Sequence, residues 1–186
     1  MKWTPPRYQD ISGAAVRLLS NHDGGALIRL IAGDLAGESG PGVTWTPITY
    51  AHATVSPGAR LEIPWRKDFN AMAYVLSGDG FAGPERRPVR EGQLAVFDNG
   101  DGLMLEASQV QASRAPFLDV LLLGGKPIRE PIVFHGPFVM NTRDEIYQAI
   151  RDYHSGAMGQ IPATRIDFSK LHGDRGGVVA EEHASE

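Results

Sequence analysis

The chain has 186 residues, a formal net charge of −4, no cysteine and 42% apolar residues. That length buries the core of one domain or a tight pair. The mildly acidic balance gives no pull toward nucleic acid, and the missing thiols exclude disulfides, thiolate zinc sites and a cysteine nucleophile.

The N-terminal MKWTPPRYQD has no apolar signal core, and no later apolar run reaches bilayer length. A cytoplasmic chain that meets no membrane is therefore expected. Residues 1–15 read as a linker stiffened by Pro5-Pro6. Beyond them, 22 glycines and 13 prolines separate many short apolar runs, the pattern of an all-β sandwich or barrel. A short strand is expected over 16–19, a turn at Asn21–Gly25, a strand over 26–32 and a glycine-rich loop over 33–42. Residues 43–49 are β-prone, with Pro47 marking an edge or bend. Ala51, Ala53 and Val55 then alternate with Tyr50, His52 and Thr54, and Leu61 and Ile63 continue the period of two. Residues 71–77 form a nearly continuous apolar strand. Gly78-Asp79-Gly80 reads as a tight turn, 93–97 as a strand, and Asp98–Gly102 as a hairpin returning through 103–106. Phe117–Leu123 is the last long strand. Thr142 with Glu145 makes a capping box, and Ile146, Ala149, Ile150 and Tyr153 then fall on one helical face that Gly156 ends. The tail from 161 to 186 is polar and glycine-dotted, and is expected to be disordered.

Several of these segments resemble the pirin family. They are the Gly124-Gly125-Lys126-Pro127-Ile128-Arg129-Glu130-Pro131 segment and the His135-Gly136-Pro137-Phe138-Val139-Met140-Asn141-Thr142 run with Glu145-Ile146 and Gln148-Ala149 behind it. Tyr8-Gln9-Asp10, Thr46-Pro47 and Tyr50 match as well. The resemblance covers residues 5–160 and is to the C-terminal of the family's two barrels. It implies an all-β cupin (double-stranded β-helix) barrel over 16–139 with one C-terminal α-helix over 140–160. It also implies that the iron-type metal of the family, held in the N-terminal barrel by histidines and a glutamate, belongs to a half missing from this chain. Some family members open quercetin with dioxygen; others act as transcriptional co-regulators.

Laid on this sequence, the general cupin ligand pattern falls on Pro64, Arg66, Ala71 and Ala95. None offers an imidazole or carboxylate lone pair, and Arg66 is a fixed cation. No catalytic, cofactor or metal residue is therefore assigned. The histidines at 22, 52, 135, 154, 172 and 183 show no ligand spacing. No nucleophile elbow or phosphate loop occurs, and Asp98 and Asp101 read as turn residues rather than calcium ligands. The candidate pocket is Tyr50, His52, Arg66, Asn70, Tyr74 and Asn99, which would suit a small phenol or carboxylate inside an apolar barrel.

The leading expectation is a metal-free barrel that acts by binding a small molecule or protein, as a regulator. The alternatives are the C-terminal half of a quercetin-cleaving dioxygenase, or a subunit that completes a separate metal-bearing cupin. The helix face and any surface left bare by a missing barrel favour a homodimer or such a cupin partner.

Overall fold

The computed structural model describes residues 4–111, 114 and 116–164, and it divides into two compact units after Arg129. The expected disorder of the tail lies, from 165 on, outside the described residues. In the first unit the chain forms β1 (Arg17–Ser20), β2 (Ala26–Leu35), β3 (Glu38–Ser39), β4 (Ile48–Val55), β5 (Arg60–Pro64) and β6 (Asn70–Ser77). It continues as β7 (Asp79–Ala82), β8 (Arg87–Arg90), β9 (Leu94–Phe97), β10 (Gly102–Ala107) and β11 (Leu118–Gly125). One sheet has the order β1-β2-β4-β11-β6-β9 with β3 against β2; the other has the order β5-β10-β7-β8. All ladders between these strands are antiparallel. β11 is inserted between β4 and β6, so the last strand of the unit closes the large sheet.

The alternation read in the sequence sets the inside of the barrel. Ala51, Ala53 and Val55 are buried, while Tyr50, His52 and Thr54 face outward and are half-buried. The register aligns Leu30, Ala51, Leu122, Ala73 and Ala95 in one inward row across the large sheet. That row is mostly alanine, and the volume it lacks is supplied from opposite by Leu61, Ile63, Trp65, Leu103 and Leu105. Gly124 shows how close the approach is. A Cβ there would overlap the Trp65 ring and the Asn70 carbonyl oxygen.

Several local expectations are corrected. Residues 71–77 are buried on one face only, with Tyr74 and Leu76 exposed on the other. The expected 33–42 loop instead extends β2 to Leu35 and returns through Ala36 and Gly37, at φ 51° and 85°, into β3. Two consecutive left-handed residues are what a tight hairpin turn demands. Gly78, at φ 84°, does not close a hairpin; the chain crosses there from one sheet to the other. The same is true of Asp98–Gly102, because β9 and β10 lie in different sheets. No strand forms over 43–47, where Pro47 denies the backbone a donor.

The second unit holds a hairpin, β12 (Val133–His135) with β13 (Phe138–Met140), and the helix α1 (Arg143–His154). Thr142 and Glu145 form the expected capping box. Ile146 and Ala149 are buried, and α1 packs on the hairpin. Tyr153, expected on the buried face, is exposed and meets the Phe138 ring edge-on at 6.3 Å. Among the described residues, no helix is long and apolar enough to cross a membrane.

One ion pair ties the β7–β8 turn to β10. Arg86 lies over the Phe81 ring at 4.4 Å and bonds the Glu106 carboxylate. That hydrogen bond holds the Glu106 carboxyl below the ordinary glutamate range. A depressed carboxyl stabilises the fold above the unfolded glutamate value, and the contribution is lost as pH falls through the lower folded value. A carboxyl NMR titration should place Glu106 below an ordinary glutamate, and Arg86→Gln should return it upward. An unshifted Glu106 in the native chain would show that the pair does not persist in solution.

Candidate functional site

The four cupin ligand positions do not share the barrel interior. Ile63 and Trp65 are buried on β5 and the loop after it, while Pro64 and Arg66 are exposed. The spacing pattern therefore put the first two positions out of phase, and Arg66 is corrected from the barrel interior to its outside. Ala71 and Ala95 do face inward, Ala95 on the row described above and Ala71 beside Gly124 and Phe97. The inward set is Ile63, Trp65, Ala71 and Ala95, which has no donor for iron or zinc, so the residues do not fit that metal. Among the described residues, no group of three or more His, Asp or Glu side chains converges as a metal site.

His52 is the centre of a polar network on the outer face of the large sheet. Arg29 Nη1 lies 3.3 Å from His52 Nδ1 and donates to Thr54 Oγ1 at 3.2 Å. His52 Nε2 lies 3.2 Å from Asp119 Oδ1, which also accepts from Thr54 Oγ1 at 2.7 Å. Ser77 Oγ donates to Asp119 Oδ2. A guanidinium can only donate, so Nδ1 accepts and the ring proton sits on Nε2, facing Asp119. Both ring nitrogens are engaged, which leaves His52 no lone pair for a metal. These partners come from β2, β6 and β11, whose register no local motif in the sequence records.

The candidate pocket residues do not gather inside the barrel. Tyr50 and Asn70 share an open groove of about 410 Å³ on the outer face with Met72, Leu123 and the Gly124–Ile128 segment. Tyr74 lies one row over, opposite Leu121 and Leu94. Asn99 is exposed in the turn after β9, next to Asp101, which pairs with Lys67 at 3.3 Å. Arg66 Nε and Nη2 bond both carboxylate oxygens of Asp68, at 3.0 and 2.9 Å. This holds Asp68 below the usual carboxylate range and raises Arg66 further above its ordinary value. Arg66 also stacks over Phe69 at 4.4 Å and borders a cleft that the sequence reading missed, lined in part by Asp34, Trp45 and Thr46. The alternation of Leu61, Ile63 and Trp65 already carried the signal that Arg66 points away from the core.

Of the other histidines, His22, His135 and His154 are exposed, and His172 and His183 lie outside the described residues. Asp98 and Asp101 belong to the turn between β9 and β10.

Comparison with known proteins gives consistent matches. Residues 50–159 match the Pirin C-terminal cupin domain. The chain is 32% identical to human Pirin over 160 residues, covering 85% of this chain and 53% of that protein. It is 36% identical to Pirin-like protein 2 of Arabidopsis thaliana over 163 residues, covering 85% of this chain and 49% of that one. The crystal structure of quercetin 2,3-dioxygenase from Acinetobacter baumannii superposes with a TM-score of 0.76 at 28% identity, covering 87% of this chain and 54% of that one. The chain thus spans about half the length of the curated relatives it matches.

Proposed function

This chain belongs to the pirin family, and from that premise we propose that it acts by binding a small molecule or a protein partner, in a regulatory role and without metal chemistry of its own. The observation that carries the reading is the inward set Ile63, Trp65, Ala71 and Ala95, where a metal-bearing cupin needs imidazoles and a carboxylate. Metal-dependent dioxygen chemistry needs such donors, and the inward set supplies none. The ligand class is a small phenol or carboxylate; a cytoplasmic location, with no direct nucleic-acid or membrane contact, goes with it. The purified chain should contain only substoichiometric metal and show no quercetin-dependent dioxygen uptake. Stoichiometric iron-type metal, with uptake abolished by a chelator, would overturn the proposal.

A second reading is favoured by two observations. The chain spans about half of its relatives, and the similar structure from Acinetobacter baumannii is that of a quercetin 2,3-dioxygenase. Leu76, Leu94 and Val96 lie exposed on β6 and β9 at the edge of the large sheet, apolar area of the kind that marks an interface. On that reading the chain completes a metal-bearing cupin barrel, held in the same polypeptide or as a separate subunit, and a homodimer is the competing occupant. Gel filtration of the chain alone, then with a separately made metal-bearing barrel, distinguishes these arrangements.

A further inference from the structure

Where β2 ends and β4 begins, a cleft of about 300 Å³ opens between Asp34, Trp45, Thr46, Arg66 and Phe69. Its walls are fixed. Gln9 bonds both Pro41 O and Val43 N, at 2.8 and 2.9 Å, and Thr44 Oγ1 bonds Thr46 O, which together hold the segment carrying Trp45. Trp45 is nevertheless 56% exposed and forms a wall shared with a neighbouring hollow, where the Arg7 guanidinium lies 5.4 Å from its ring. A large indole held in place yet left open is a ready platform for an apolar ring face. Arg66 is immobilised by Asp68 and Phe69, and its Nη1 has no partner among the described residues. Asp34 spends Oδ1 on Ser39 at 2.6 Å, leaving Oδ2 to accept.

Charge selects the ligand. The bidentate Asp68 pair neutralises Arg66, and the open Asp34 oxygen disfavours an anion beside it, while Arg7 over Trp45 and Lys126 near Asp68 keep the wider surroundings from being net negative. A ligand here needs an acceptor for Arg66, a donor for Asp34 and a flat apolar face for Trp45. Adjacent hydroxyls on an uncharged ring supply all three, because a hydroxyl both donates and accepts. We infer that this cleft binds an uncharged ring bearing adjacent hydroxyls, the ring on Trp45 and the hydroxyls on Arg66 and Asp34. A pyranose and a catechol share that chemistry. The inference deepens the binding reading above and rests on it, while shifting its ligand from a phenol or carboxylate in general to a ring with adjacent hydroxyls.

The test is an NMR titration of the full ¹⁵N-labelled chain with glucose, catechol and benzoate, read at the indole N–H signals. Trp45→Phe identifies the Trp45 signal, and an unchanged Trp65 signal shows that each variant remains folded. A saturable shift of the Trp45 signal with glucose or with catechol is expected, and the responding compound identifies the source. Arg66→Gln and Asp34→Asn should each weaken binding about tenfold, as loss of a charge-assisted hydrogen bond does. No saturable shift with either diol overturns the inference, as does tighter binding of benzoate. Metal analysis of the same sample separates this result from the parent reading. Metal-free protein without a shift overturns the cleft alone. Stoichiometric metal with the shift intact supports the cleft and overturns the metal-free reading.

Discussion

Leu122→Ala should lower the unfolding free energy toward the top of the range of about 2–5 kcal/mol seen for buried leucine truncations. Leu122 is fully buried at the centre of β11, with Ala51 and Ala73 as its cross-strand neighbours. Substitution would leave an unbroken run of alanines across four strands, from Ala51 through the new one and Ala73 to Ala95. None of these methyl groups could swing into the space, so the surrounding structure would relax little. Leu121→Ala makes the control. Leu121 is next to it in sequence but faces outward and is half-buried, and its loss should cost much less. Denaturant unfolding of both variants decides the matter. Equal losses would mean that the inward row is not the densest part of the barrel.

Gly33→Ala should be comparably damaging for a different reason. Gly33 sits at φ 76° in β2, where its missing Cβ lets the Ile48 carbonyl oxygen approach. An alanine meets two penalties: about 1–2 kcal/mol for the left-handed backbone and about 1–3 kcal/mol for the overlap with a neighbouring strand's backbone. Gly24→Ala separates them. Gly24 has φ 72° but open space where its Cβ would go, so only the conformational cost applies. A Gly33→Ala protein no less stable than Gly24→Ala would mean that β4 shifts freely away from β2. Thermal unfolding of the pair reads the difference directly.

Where one face of an element was cleanly apolar, the sequence alone was enough. The alternation from Tyr50 to Val55 placed three side chains inside and three outside, and the Thr142–Glu145 box started the helix where it starts. β8 was illegible because Arg87, Pro88 and Arg90 leave Val89 as its only buried residue. The Asp98–Gly102 turn chemistry specified a change of direction but not the strand that would receive the chain. β10 consequently pairs with β5 and β7 rather than with β9. The site suffered most from this gap. His52 was visible as an outward strand residue, but Arg29 and Asp119 reach it only through ladders closed across long stretches of chain. Arg66 was misplaced by a motif spacing that ignored which residues of β5 face inward.

The position of β11 also governs the order in which the molecule can be made. β2 and β4 can pair as soon as both exist, and so can β6 and β9, but each ladder ends at a strand whose other neighbour is β11. Until residues 118–125 leave the ribosome, the two ladders remain unjoined, with β4 and β6 each lacking a partner along one edge. At about 5–20 residues per second, that interval lasts several seconds. Contacts this distant in sequence form slowly even in a finished chain. A ribosome stalled just before Leu118 should therefore carry a nascent chain that chaperones hold and proteases cut. Release of the eight residues Leu118–Gly125 should convert it to a protected barrel in one step.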